Sequence, residues 1–405
     1  MDASSIENLI NKCKEKLTAQ FSAVDDIALY NQEKVLDAFI KNKVALRHFN
    51  GTTGYGYDDI GRDTLKLVYA DALKAPSAVI TPNIVSGTHA ISLALFAVLK
   101  SGQKVLSVSG KPYDTLRPVI DGENASLKSF GIEFEYVELN GDDFDYDKIK
   151  RYDLKNYAMV YVQRSRGYDE RKVIPIKNMK KCFDFLRNNG FDGIIFVDNC
   201  YGEFVEKLEP VEVGANVIAG SLIKNIGGGI TPTGGYVAGD KKYMDMVEAR
   251  LTSPSIAGEV GSYAYGYQYF YQGLFLAPHV VAQALKTSML LGACMHELGY
   301  YTLPAAYEVP YDITRLIRLG DEQKLIGFIQ SVQSVSPVDS YLTLMPWDMP
   351  GYEHQVVMAS GSFIQGSSIE LSCDAPIKPP YNAFMQGGLT FEHGVIAIKN
   401  ILKNL

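Results

Sequence analysis

From about residue 75 to residue 255 the chain alternates short β-branched runs with amphipathic segments, and this restricts the fold more than any other feature. The runs at 78–81, 105–109, 134–137, 159–163, 194–198, 217–221 and 236–239 predict seven strands. Helical patterns fill most of the gaps, as at 88–100, 179–189 and 241–251. Strands separated by helices require crossover connections, so the expected class is α/β, with a mostly parallel sheet covered on both faces. Ahead of it, residues 1–50 read as a helical arm, with Ile6, Leu9, Ile10, Cys13 and Leu17 on one face behind Ser4 and Ser5 as caps. A Gly/Tyr-rich stretch at 51–61 is too flexible for regular structure. After 255 the rhythm breaks into a long helical stretch at 276–298 and a mixed remainder. The division expected is therefore an arm at 1–50, a large α/β domain at 51–255 and a smaller α+β domain at 256–405.

Composition narrows the function. Lys and Arg total 39 against 46 Asp and Glu, a net −7 that lacks the basic face nucleic-acid binding needs. The cysteines at 13, 182, 200, 294 and 373 form no CxxC pair, and their odd number fits reduced thiols in a cytoplasmic protein. Charges interrupt the opening MDASSIENLINKCKEK, so no signal peptide is read there. The stretch 90–99, taken as the longest strongly apolar one, is half a membrane span, so no membrane partner is expected.

In sheets of this kind ligands bind beyond the carboxyl ends of the strands. Four features stand there. Ser86-Gly87-Thr88 opens a helix after a strand: free N–H groups and the helix dipole favour an anion, although Ser86 could be only an N-cap. Asp198 ends the run GIIFVD, where it could cap a helix, bind a metal or pair with a ring nitrogen; no His or Cys partners stand at metal-ligand spacing. Ser221-Leu-Ile-Lys224 follows the next strand, its lysine either a solvated surface charge or a reactive amine, and Gly227, Gly228 and Gly229 allow a close backbone approach beside it. Tyr113 follows the strand at 105–109 as a rim residue or a flat platform for a planar ligand. GYGYDDIG lacks the dinucleotide-binding spacing, GKP at Gly110 is no Walker A loop, and no GxSxG elbow occurs. His89, next to the anion loop, is divided evenly between site and core.

In this order the four features resemble fold-type-I pyridoxal-phosphate enzymes of the cysteine/methionine-metabolism group. SGTHA resembles the group's phosphate turn, PYDT its ring-stacking tyrosine and VDN its ring-nitrogen aspartate; SLIKNIGGGITPTGG matches its lysine signature. GTTGYGYDDIGRDTL, VSGTHAISLALF, VDNCYGEF, YQGLFLAPH and PWDMPGYE are similar to the methionine γ-lyase-like, or aluminium-resistance, branch, also labelled cystathionine β-lyase-like.

The resemblance implies a carbon–sulfur lyase acting by β- or γ-elimination on a sulfur amino acid, with pyridoxal 5'-phosphate held as a Schiff base on Lys224. Other activities of the same fold type, an aldolase or aminotransferase, or a silent cofactor-binding protein, are the rival readings. Ser86, Gly87, Thr88 and Ser221 would hold the phosphate, Asp198 the ring nitrogen, and Tyr113 one ring face. The group is oligomeric, so a homodimer or homotetramer is implied, with Tyr55 and Tyr57 as the residues reaching a neighbour's phosphate. Its usual C-terminal arginine for the substrate carboxylate is missing: the corresponding stretch reads Ser368-Ile-Glu-Leu-Ser372, and no arginine follows Arg318. Arg164 or Arg166, just beyond the strand at 159–163, could take over, and Arg166 is the residue chosen, with Lys378 as the competing anchor.

Overall fold

The computed structural model describes residues 1–349 and 352–405; Pro350 and Gly351, inside PWDMPGYE, lie outside the described residues. Helices α1 (Ala3–Lys16), α2 (Thr18–Lys41) and α3 (Ile60–Ala72) precede the main sheet. Asp2 caps α1 by accepting the Ser5 N–H at 2.8 Å, so Ser4 and Ser5 lie inside the first turn and are not the caps. The charged side chain at the boundary holds that position, where a carboxylate also meets the positive end of the helix dipole.

The main sheet contains β1 (Ser77–Thr81), β2 (Lys104–Ser107), β3 (Glu133–Tyr136), β4 (Met159–Gln163), β5 (Ile194–Asp198), β6 (Val217–Ser221) and β7 (Gly235–Gly239). Their order is β1-β7-β6-β5-β4-β2-β3. Strand β7 is antiparallel to both β1 and β6, and the remaining pairs are parallel, so six strands run one way. The mostly parallel seven-stranded sheet expected from the alternation is the one observed. Every residue of β4, β5, β6 and β7 is buried, which is why these segments read as continuous apolar runs. Met159 and Tyr161 face one layer, packing with α4 (Gly87–Val98), while Val160 and Val162 face the other. Burial of Met159, Val160 and Val162 stabilises the fold by about 1.5–3 kcal/mol each relative to exposure.

The long helix Gln268–Glu297 begins earlier than the expected 276, since Gly273 lies in its first two turns where a glycine weakens the local helical pattern. By length and composition it could cross a membrane, a feature the reading of 90–99 as the longest apolar stretch overlooked. In this fold 72% of its apolar window is buried, against α1, α2 and the C-terminal helix among others. Its hydropathy is that of a core helix.

The smaller sheet comprises β8 (Tyr301–Leu303), β9 (Thr314–Arg318), β10 (Val356–Ala359), β11 (Ser372–Pro376) and β12 (Asn382–Gln386), all antiparallel in the order β10-β11-β12-β9-β8. Helix Glu322–Gln333 packs on it, Phe391–Asn404 packs against that helix and the long helix, and Cys373, Ala375, Ala383 and Met385 belong to that core. Alternation then turns Asp374, Phe384 and Gln386 the other way, onto a cavity between this sheet and the large domain.

Candidate active site

Because six strands share a direction, the carboxyl ends of β2, β4, β5 and β6 lie on one edge of the sheet, and a cavity of about 400 Å³ opens there. It is bordered by Ser86, Gly87, Thr88, Tyr113, Asp198, Ser221 and Lys224 together. Residues spread over more than a hundred positions of sequence thus meet at one place.

At the start of α4, Ser86 Oγ accepts the His89 N–H at 3.0 Å, so Ser86 is an N-cap and a cavity residue at once. A Cβ on Gly87 would come within 3.2 Å of Ser221 Cβ and 3.3 Å of Cys200 Sγ, so glycine lets the helix start sit tightly against the ends of β5 and β6. The Thr88 hydroxyl and the Tyr113 hydroxyl are 2.9 Å apart, and the Tyr113 N–H donates to Gln163 Oε1 at 2.8 Å. Those two contacts fix the tyrosine at the cavity wall.

Asp198 is buried, and burial pushes its carboxyl up; the Cys200 N–H donating to Oδ1 at 3.1 Å and the nearby Lys224 work the other way. Lys224 Nζ lies 4.0 Å from the centre of the Tyr201 ring. Burial works against its charge, but Tyr201, Cys200, Tyr113 and Asp198 around it outweigh that and hold the ammonium above the ordinary lysine range. The glycine run after it serves packing: Cβ atoms on Gly228 and Gly273 would run into the backbone of the other segment, so the run docks the lysine loop on the long helix. The close approach expected of these glycines is therefore to a helix.

Arg166 also borders the cavity. It is 1% exposed, which excludes a surface salt bridge; Nη1 donates to the Leu303 carbonyl at 3.0 Å and Nε has no protein partner. Arg164 points elsewhere and is spent on Asn199, Gly202 and Glu206. Lys378 stands exposed at the rim. Tyr55 and Tyr57 are exposed, with rings 5.5 Å apart, and do not reach this chain's own cavity. His89 is not among the cavity residues; its Nδ1 accepts the Val85 N–H at 3.2 Å, which is a local structural role.

The motif reading passed over Tyr201 and Asp374. Tyr201 holds a left-handed backbone (φ 71°) and accepts a hydrogen bond from Ser368 Oγ at 3.1 Å. An aromatic residue three positions after a strand-end aspartate was its only signal. Asp374 is a single carboxylate in an otherwise small or apolar strand, two residues beyond the stretch searched for an arginine.

A family model described as methionine gamma-lyase matches residues 6–405. The Bacillus subtilis protein YnbB, itself uncharacterised, is 46% identical over 387 residues, covering 94% of this chain and 92% of its own. A structure named as a carbon–sulfur lyase involved in aluminium resistance, from Clostridium novyi, is 45% identical with a TM-score of 0.94, covering 98% of this chain and 95% of its own. A Listeria monocytogenes structure, named as a candidate cystathionine β-lyase involved in aluminium resistance, is 43% identical with a TM-score of 0.96, covering 98% of this chain and 99% of its own. The pyridoxal-5'-phosphate-dependent protein YhfS of Escherichia coli, 18% identical with a TM-score of 0.64 over 94% of this chain and 97% of its own, shares the fold. With the family pattern running through nearly its whole length, the chain belongs to the methionine γ-lyase family.

Proposed function

We propose that this protein is a pyridoxal-phosphate-dependent carbon–sulfur lyase that eliminates a thiol from a sulfur-containing amino acid. The observation that carries the reading is the convergence of Lys224, Asp198 and the capped anion loop of α4 on one cavity. The residues fit the cofactor: an amine, a buried carboxylate and a helix N-terminus that Gly87 packs against Ser221. Names given to similar structures, a carbon–sulfur lyase among them, point the same way.

When bound, pyridoxal phosphate supplies an electron sink for a carbanion next to the substrate nitrogen. The protein's own groups would do the rest. Ser86, Gly87, Thr88 and Ser221 would bind the phosphate, helped by the dipole of α4. Tyr113 would hold the ring flat, and Asp198 would keep a proton on the ring nitrogen. Lys224 would hold the cofactor and, once displaced by the substrate amine, take the Cα proton. Five unpaired cysteines accord with a cytoplasmic setting.

The test begins with the colour of the purified protein, since an α/β protein without the cofactor is colourless. Cysteine and homocysteine thioethers should then yield a keto acid and ammonia with no amino acceptor present, which separates elimination from aminotransfer and aldol cleavage. A coloured protein that gives no spectral change with any amino acid would sink the lyase reading.

Arg166 is our choice for the substrate carboxylate, because it is enclosed, borders the cavity and has donor capacity its own chain does not use. A planar fork gives two parallel hydrogen bonds where Lys378 gives a point charge. Arg166→Ala should lose about 2–5 kcal/mol in kcat/KM and keep its colour. Unchanged kinetics would move the anchor to Lys378 or to backbone donors.

We also infer a homodimer or homotetramer in which Tyr55 and Tyr57 meet a neighbouring copy. Both rings are solvent-exposed, as are Tyr265 and Tyr269 from the adjoining segment. Sedimentation at micromolar concentration should show an oligomer, and a cofactor-saturated monomer would contradict it.

A further inference from the structure

The C-terminal wall of the cavity has a chemistry the lyase reading does not use. Asp374 faces in from β11, where Gln386 Nε2 donates to its Oδ2 at 3.0 Å. Beside it the Tyr168 ring lies tilted against Phe384, centres 5.1 Å apart, and against Tyr352, centres 5.8 Å apart, and all three rings border the same cavity. A carboxylate in an aromatic corner suits an organic ammonium: the acid supplies the opposite charge and the ring faces supply cation–π attraction. It suits a neutral alkyl tail badly, because that would strip water from the carboxylate and give nothing back.

We propose that Asp374 and the Tyr168–Tyr352–Phe384 corner receive a protonated amine at the far end of the substrate side chain. This specificity site rests on the proposed lyase function. The preferred substrates are then thioether amino acids with a second, cationic amino group beyond the sulfur, and methionine, with a neutral tail, is a poor fit. Arg166 and Asp374, of opposite charge, would sort the two ends of such a molecule. Burial holds the Asp374 carboxyl up at about 6, and Tyr168, Tyr352, Lys224 and the neighbouring Cys373 are the titratable groups around it. Burial also pushes both tyrosines up, so they stay neutral while the carboxyl ionises.

The test uses the cofactor-loaded protein and two amino acids of equal length, L-lysine and L-2-aminoheptanoate, the second with a methyl group in place of the ammonium. Neither carries a leaving group, so the spectral change of the bound cofactor reports binding apart from elimination. Lysine should bind about 10–100-fold more tightly, the range for a charged hydrogen bond. The preference should grow as pH rises from about 5 to about 7, because the carboxylate forms over that window. Asp374→Asn should keep the cofactor spectrum and lose the preference; if that variant fails to fold, the pH series on the natural protein decides. Equal affinities, or a pH-independent preference, overturn the Asp374 site. Turnover of S-(2-aminoethyl)cysteine and S-propylcysteine reads the parent function separately: keto acid from both at equal efficiency keeps the lyase and removes the specificity site. No spectral response to any amino acid removes both.

Discussion

Borohydride reduction of the coloured protein, followed by peptide mapping, should fix a pyridoxyl group on Lys224. Two lysines border the cavity, Lys224 and Lys378. Lys378 stands at the exposed rim, whereas Lys224 is held where β6 ends, with its ammonium over the Tyr201 ring and its loop docked on the long helix. A covalent partner must meet the same ring that Asp198 and the α4 N-terminus would hold, and only the inner lysine shares that wall. Lys224→Ala should therefore bind cofactor without the covalent link and lose turnover. Removal of the proton-transfer role alone costs about 10²–10⁴-fold, or about 3–5 kcal/mol. A label on any other lysine would overturn the site.

The sheet was legible because its central strands are buried on both faces, so Met159–Gln163, Ile194–Asp198 and Val217–Ser221 stand out as apolar runs between amphipathic helices. β2 and β3, neighbours at one end of the sheet, were displaced by a residue or so, since β3 is half exposed and their boundaries depend on pairing. The long helix was misjudged at its start because a glycine counts locally as a breaker. Gly273 is there for contact with Gly228, a partner some forty-five positions away that no local window contains.

The same distinction separates the residues that sequence position alone brings to the cavity edge from those it passed over. Ser86, Tyr113, Asp198 and Lys224 each follow a strand, and in a parallel sheet that places them on one edge without further information. Asp374 and Tyr201 depend on how the small sheet turns toward the large domain. Alternation along β11 shows that Asp374 faces away from Cys373 and Ala375, but not that a cavity lies on that side. Arg166 lay between: its position after β4 pointed to the edge, while its enclosure beside Leu303 required the second domain.

Asp198→Asn should keep the fold and the colour but lose about two to four orders of magnitude in kcat, with KM much less affected. The asparagine Oδ1 can still accept the Cys200 N–H, the one backbone contact the carboxylate makes here. If Asp198 were only a turn cap, this variant would be close to neutral. The reason to expect otherwise is electrostatic. A carboxylate buried among apolar strands and pushed up by that burial costs free energy unless a cation meets it. Lys224 supplies part of that compensation in the free protein. Once the lysine is committed to the cofactor, a protonated ring nitrogen is the group that could replace it, and the carboxylate then keeps the proton in place. An amide carries no charge to do this, so the ring would accept electrons less readily while the phosphate and Lys224 still held it. Near-native kcat in Asp198→Asn would return the residue to the turn-cap role and leave the ring nitrogen without a partner on this chain.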